Sequence, residues 1–259
     1  MGTADDLIPI LKKLRMSGVL GTLDIRTRQA VEDNLSHTEF LYRLLSDEVE
    51  RRDAKQLDLR LRRAAFEDTK TLEDFDFLFN PQVPKSRIVD LATCHFVDRR
   101  EVVCLVGQAG VGKSHLAQAL GHRACMNGHT VLFVTAQHLF QQLRAARADQ
   151  TYERKLLRFT SPDLLIIDDV GLRPLRYEEP EDLFEIIRQR YERGAMVLTS
   201  NRDLEEWPEM FNNPLLASTA MDRLLHHAHV ITIEGDSYRN PPKARREHVG
   251  RSARDQAPA

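Results

Sequence analysis

Residues 102–114 read VVCLVGQAGVGKS, and no other segment restricts the fold of this chain as strongly. Gly107, Gly112, Lys113 and Ser114 satisfy the pattern G-x-x-x-x-G-K-[ST]. An apolar run, Val102–Val106, enters the pattern, and a helix-forming run, His115–Arg123, leaves it. That is the strand–loop–helix context the pattern requires. A bound triphosphate needs a concentrated positive field and no bulky side chains in its way. Glycines let backbone N–H groups converge on phosphate oxygens, and the following helix adds the positive end of its dipole. Gly107, Gln108, Ala109, Gly110, Val111, Gly112, Lys113, Ser114 and His115 are therefore the expected nucleotide cradle. Lys113 is expected to reach the β- and γ-phosphates, and the Ser114 hydroxyl to ligate Mg2+.

The surroundings of this loop predict an α/β fold. From about Lys85, short apolar runs alternate with amphipathic stretches. Strands are expected at Val102–Val106, Thr130–Thr135, Leu164–Ile167, Met196–Thr199 and Val230–Ile233. Helices are expected at Gln137–Arg147, Glu181–Glu192 and Leu215–His227. The strand runs are continuously apolar, as in parallel strands covered on both faces, so a central parallel sheet flanked by helices follows. At 259 residues and 42% hydrophobic content, the chain can hold one such domain with a smaller attachment.

A second group of polar residues completes the expected site. The run Leu164–Ile167 ends in adjacent carboxylates, Asp168 and Asp169, at the strand end where open α/β sheets bind ligands. Asp168 is the candidate metal holder and Asp169 the candidate general base for an attacking water. Asn201 follows Thr199 and Ser200 at the end of the fourth strand, where it can contact the γ-phosphate or only cap a turn. Arg223 is either a surface partner of Asp222 or an arginine finger reaching a neighbouring subunit. Arg239, in GDSYRN, is a further basic candidate. His226 and His227 are a weak metal signal, since adjacent helical positions do not face one site and no HExxH occurs; a satisfied or interfacial histidine is the preferred reading.

The first 70 residues predict a small all-helical domain: Leu7, Ile10, Leu11 and Leu14 recur at helical spacing, as do Phe40, Leu41, Leu44 and Leu45. Basic residues thread this region among acidic ones. Lys12, Lys13, Arg15, Arg51, Arg52 and Arg60 are the candidate contacts to DNA phosphates; the competing readings are a partner surface or a solvated helix face. Residues 71–84, with Pro81 and Pro84, read as a linker or strap, residues 85–240 as the nucleotide-binding domain, and residues 241–259 as a basic tail without apolar anchors. Net charge is −2, so overall charge does not point to nucleic acid. Cys94, Cys104 and Cys125 have no metal-ligand spacing, no run is long enough to span a bilayer, and the acidic start lacks a signal peptide's regions. A cytoplasmic location is the expectation.

With these motifs in order, the chain resembles the IstB-like family, the ATP-binding helper proteins of IS21-class insertion sequences, akin to the helicase loader DnaC. LKKLRMSGVLGTLDIRTRQA, KTLEDFDF, GQAGVGKSHLAQAL, LLIIDDVG, LTSNRDLEEW and ASTAMDRLLHHAHVITIEGDSYR carry the resemblance, which covers nearly all of residues 7–240. It implies a bacterial protein with an AAA+ core: Gly107, Lys113 and Ser114 in Walker A, Asp168 and Asp169 in Walker B, Asn201 as sensor 1, and Arg223 as the trans-acting arginine. It implies ATP and Mg2+ as cofactors. It also implies ATP-driven self-assembly on duplex DNA, target-site selection, and stimulation of a partner transposase. A second carboxylate of Asp rather than Glu leaves a shorter arm at Asp169, and no further helical lid with a separate sensor 2 arginine is evident after Arg239. The alternative reading is a replicative helicase loader of the DnaC type, whose core would look much the same.

Overall fold

The computed structural model describes residues 4–239; the expected tail, 241–259, lies outside the described residues. The chain divides into two compact units, one ending at Leu59 and the other beginning at Arg60. The boundary precedes the expected residue 70. The reason is that the residues after Leu59 pack on the second unit: Arg60 Nε donates to Cys125 O (2.9 Å), Phe66 faces Phe133 at 6.2 Å, and the Asp68 N–H donates to Gln118 Oε1 (3.2 Å).

The first unit contains helices α1 (Ala4–Lys13) and α2 (Ser17–Glu32) and most of α3 (His37–Ala64), within which the boundary falls. Val19, Leu23 and Leu44 are its buried centre, with Leu11, Met16 and Phe40 packed around them. The Glu48 carboxylate is buried where α2 begins and accepts hydrogen bonds from the Gly18 and Val19 N–H groups and from Arg52 Nε. A negative charge there satisfies N–H groups that no intrahelical carbonyl can reach. A side chain at Gly18 would bring its Cβ within 2.7 Å of Glu48 Oε2, which makes glycine necessary at this contact.

The second unit contains α4 (Lys85–Leu91), α5 (His95–Asp98), β1 (Val102–Gly107), α6 (Lys113–Met126), β2 (Val131–Thr135), α7 (Ala136–Ala148), α8 (Tyr152–Thr160), β3 (Leu164–Val170), α9 (Glu179–Arg190), β4 (Ala195–Ser200), α10 (Trp207–Met210), α11 (Pro214–Leu225) and β5 (Ala228–Ile233). The strands form one parallel sheet in the order β2-β3-β4-β1-β5. Each strand projects alternate residues to opposite faces. Cys104, Val134, Ile167 and Leu198 join the core beneath α7, α8, α9 and α11. On the other face, a Cβ added at Gly121 of α6 would meet Ile166 Cδ1 at 2.6 Å, so this helix lies directly on the sheet. The chain thus leaves β1 toward one face and β4 toward the other, and the carboxyl ends of these neighbours open a crevice of the kind that binds ligands. Residues 71–84 form no regular helix or strand, but Phe75, Phe79 and Val83 are buried, so they are a packed strap.

Candidate nucleotide-binding site

The crevice is a cavity of about 910 Å³. Its floor is the loop between β1 and α6. Gly110 and Gly112 have φ of 85° and 102°, where side chains are strained. A Cβ at Gly110 would come within 2.1 Å of Ser237 Oγ, and one at Gly112 within 2.6 Å of the Phe75 ring. The loop is therefore bare on its inner surface because both backbone conformation and close neighbours demand it. α6 starts at Lys113, so its first N–H groups have no intrahelical acceptor and point out of the helix start.

Lys113 is 5% exposed, and its Nζ donates to Gly107 O (2.7 Å), Gln108 O (2.7 Å) and Asn201 Oδ1 (2.6 Å). Burial holds its pKa below the usual lysine range, partly offset by Asp169 and Asp168. Ser114 lines the same wall. Asp168 and Asp169 extend from β3. Asp168 is 3% exposed and accepts a hydrogen bond from Thr199 Oγ1. Asp169 has φ of 58°, and burial together with the neighbouring Asp168 charge raises its pKa. Asn201 follows β4 directly. The structure thus brings Lys113, Ser114, Asp168, Asp169 and Asn201 to one cavity, with Ala109, Gly110, Gly112 and His115 beside them.

This set fits a triphosphate and a hard divalent cation. The glycine cradle is open to phosphate oxygens, a buried ammonium stands within it, and the hydroxyl and carboxylates are the oxygen donors that Mg2+ takes.

Several residues enter the site that motif reading left aside. The strap contributes Asp74, Phe75, Asp76 and Phe79, and the segment after β5 contributes Tyr238. Tyr238 stacks on Phe79 with ring centroids 3.9 Å apart, its N–H donates to Gly110 O (2.9 Å), and its hydroxyl donates to Asp76 O. Three phenylalanines within FDFLF were the available signal, since a solvated linker has no use for them. Arg239 also lines the cavity, and its charge acts on both Lys113 and Asp169.

Other expected residues stand elsewhere. Arg223, on α11, does not line the cavity; its guanidinium lies 5.4 Å from the Phe184 ring, with Nη1 buried and lacking a hydrogen-bond partner. Lys12, Lys13 and Arg15 are exposed. Arg51 and Arg52 are exposed too but lie beside Glu48, at 4.0 and 2.7 Å. Arg60 uses its Nε on the Cys125 carbonyl. His226 and His227 follow the end of α11 at Leu225; His226 keeps helical backbone angles, yet the two ring centroids stand 4.1 Å apart. Their ring nitrogens and the Glu192 carboxylate lie within 4.8 Å of one another, all exposed, with no buried cage around them.

A family profile described as IstB-like ATP binding protein matches residues 9–246. An insertion-sequence ATP-binding protein of Mycobacterium tuberculosis is 40% identical over 230 residues, 88% of this chain and 92% of that one. The IS21 ATP-binding protein of Pseudomonas aeruginosa is 38% identical over 234 residues, 90% of this chain and 88% of that one. Among solved structures, the DnaC helicase loader superposes with a TM-score of 0.51 at 18% identity, over 57% of this chain and 87% of that one. Domain III of the Thermotoga maritima replication initiation protein DnaA gives 0.55 at 20% identity, over 71% and 73%. At such identities the structural likeness establishes the fold alone, a central parallel sheet flanked by helices. Joined to the relatives and to the profile spanning most of the sequence, it leads to one assignment: the chain belongs to the IstB-like ATP-binding protein family.

Proposed function

We propose that the chain is a Mg2+-dependent ATPase that assembles with copies of itself on duplex DNA, selects target sites and stimulates a partner transposase. The observation that carries the ATPase reading is the meeting of Lys113, Ser114, Asp168, Asp169 and Asn201 in one cavity at the carboxyl ends of β1, β3 and β4. ATP binds with its phosphates over the start of α6. There the loop N–H groups donate to phosphate oxygens, and Lys113 exchanges its present carbonyl and amide acceptors for them. Ser114 and Asp168 hold the Mg2+. When bound, the ion neutralises charge on the β- and γ-phosphates. Asp169 takes the proton of the attacking water. Asn201 orients that water or the γ-phosphate.

The transposition reading is supported by the relatives, which are named as insertion-sequence ATP-binding proteins at 38–40% identity. DnaC at 18% identity supports the fold without favouring helicase loading. Lys12, Lys13 and Arg15, with Arg51, Arg52 and Arg60, offer each copy modest basic density, offset by acids such as Glu48. One copy alone therefore binds duplex weakly, and ATP-driven assembly sums many phosphate contacts along one duplex. Binding of that kind is nearly sequence-independent and falls steeply with salt through counterion release. The test measures duplex binding with ATP and with ADP across a salt series, alongside phosphate release with and without DNA and electron microscopy of the assemblies. ATP-dependent, salt-sensitive binding that is weakened by neutralising Lys12, Lys13 and Arg15 supports the proposal. Binding indifferent to nucleotide and salt overturns the DNA part, and phosphate release no greater than that of Lys113→Ala overturns the ATPase part.

A further inference from the structure

Where β3 pairs with β4, Ile167 stands opposite Leu198 and Val170 opposite Ser200, so Asp168 and Asp169 together face the single residue Thr199. This is a β-bulge, a device that bends a strand and re-aims its side chains. The price of the bulge is one backbone N–H displaced from the ladder, and burial makes such a group costly to leave unpaired. Here the Asp169 N–H donates to Thr199 Oγ1 (2.9 Å), and the same hydroxyl donates to Asp168 Oδ1. Thr199 is wholly buried.

The directions of these bonds are fixed by chemistry. A backbone N–H can only donate, so the hydroxyl must accept from Asp169. Its own single proton is then available for Asp168, whose carboxylate accepts it. One hydroxyl therefore holds the left-handed backbone of Asp169, with φ of 58°, and orients the carboxylate of Asp168. We infer that Thr199 is a positioning residue that sets the two carboxylates relative to each other and to the nucleotide. The inference rests on the ATPase reading above. Thr199 itself is not among the residues that line the cavity, so it acts through Asp168 and Asp169 and not on the ligand.

The deciding variants are Thr199→Val, which keeps shape and removes the hydroxyl, and Thr199→Ser, which keeps the hydroxyl. Misplaced catalytic groups cost large factors in rate, so Thr199→Val should lose about tenfold or more in kcat. Because Lys113 and the glycine loop are untouched, its affinity for a fluorescent ATP analogue should stay within about threefold of wild type. Thr199→Ser should recover most of the rate. If Thr199→Val unfolds, as judged by its thermal transition, Thr199→Ala is compared with Thr199→Ser under the same expectations. Wild-type kcat in the hydroxyl-free variant, or a folded Thr199→Ser as slow as Thr199→Val, overturns the inference. A wild type with no more activity than Lys113→Ala overturns the ATPase reading instead, so the two failures are distinguishable.

Discussion

Lys113 and Asp169 face the same cavity, and the roles proposed for them concern different parts of a bound nucleotide, so their removal should fail in different steps. Lys113→Ala deletes the buried ammonium from the phosphate cradle. Charge-assisted hydrogen bonds of this type contribute about 1.5–3 kcal/mol, so nucleotide affinity should fall by about tenfold or more. Asp169→Asn keeps the shape and loses the basicity. It should bind nucleotide normally and turn over about a hundredfold more slowly, within the range general bases contribute. Equilibrium binding and phosphate release separate the two, and equal hydrolysis by Asp169→Asn and wild type would defeat the base assignment. The same carboxylate sets a pH dependence. Burial and the Asp168 charge raise the Asp169 pKa, so its protonated, inactive form persists to higher pH than for an ordinary aspartate near pH ~4. The acid limb of kcat/KM, which reports the free enzyme, should therefore lie above that value. Activity constant down to pH ~4, with full recovery on return to neutral pH, would contradict the assignment.

At the scale of elements, the expected core strands and helices recur within a few residues because their signals are local. Val102–Val106 and Leu164–Ile167 are continuous apolar runs bounded by polar residues, and parallel strands produce such runs. The extension of β3 through Asp168 to Val170 was not legible, since it depends on Thr199 across the bulge and not on propensity. α8 was missed because its nine residues, YERKLLRFT, are too short to show a sustained helical period. α4 and α5 are shorter still. The meeting of Lys113, Ser114, Asp168, Asp169 and Asn201 in one cavity could be read from motif spacing, whereas the aromatic strap could not be placed, because Phe75 and Phe79 find Tyr238 only after about 160 intervening residues fold. One buried tie between elements was also invisible to periodicity. Arg190, 1% exposed at the end of α9, donates to the carbonyls of Phe159, Thr160, Pro162, Asp163 and Ala195. It thereby joins the α8–β3 turn to the start of β4, and burial lowers its pKa to about 10. Arg190→Met leaves those carbonyls without their shared donor. The variant should lose about 3 kcal/mol or more of stability, read as a lower denaturant midpoint. A midpoint unchanged from wild type would mean that water replaces the guanidinium at no cost.

At the scale of the whole molecule, one expected catalytic group is missing from the cavity of its own chain. Lys113, Asp169 and Asn201 line it, as does Arg239, but Arg223 lies on α11 beside Phe184, with one guanidinium nitrogen buried and unpartnered. A finger that neutralises γ-phosphate charge is useful only where it reaches that phosphate, so the proposed role of Arg223 requires a second copy of the chain. This converts a residue-level assignment into a statement about assembly. Arg223→Ala should bind ATP as wild type does, because its cradle is complete, and should hydrolyse it poorly by itself. Asp169→Asn should also be nearly inactive, for the opposite reason: it can offer a finger but has lost the base. Mixed assemblies contain interfaces at which the Arg223→Ala copy supplies the nucleotide, metal holder and intact base while the Asp169→Asn copy supplies the arginine. Adding excess Asp169→Asn protein to Arg223→Ala protein should therefore raise phosphate release above the sum of the two alone. Adding the double variant, which carries neither group, should raise nothing, and this control separates complementation from a general effect of protein concentration on assembly. Hetero-oligomers that demonstrably form yet restore no activity would place the function of Arg223 within its own subunit, in the packing of α11 on α9.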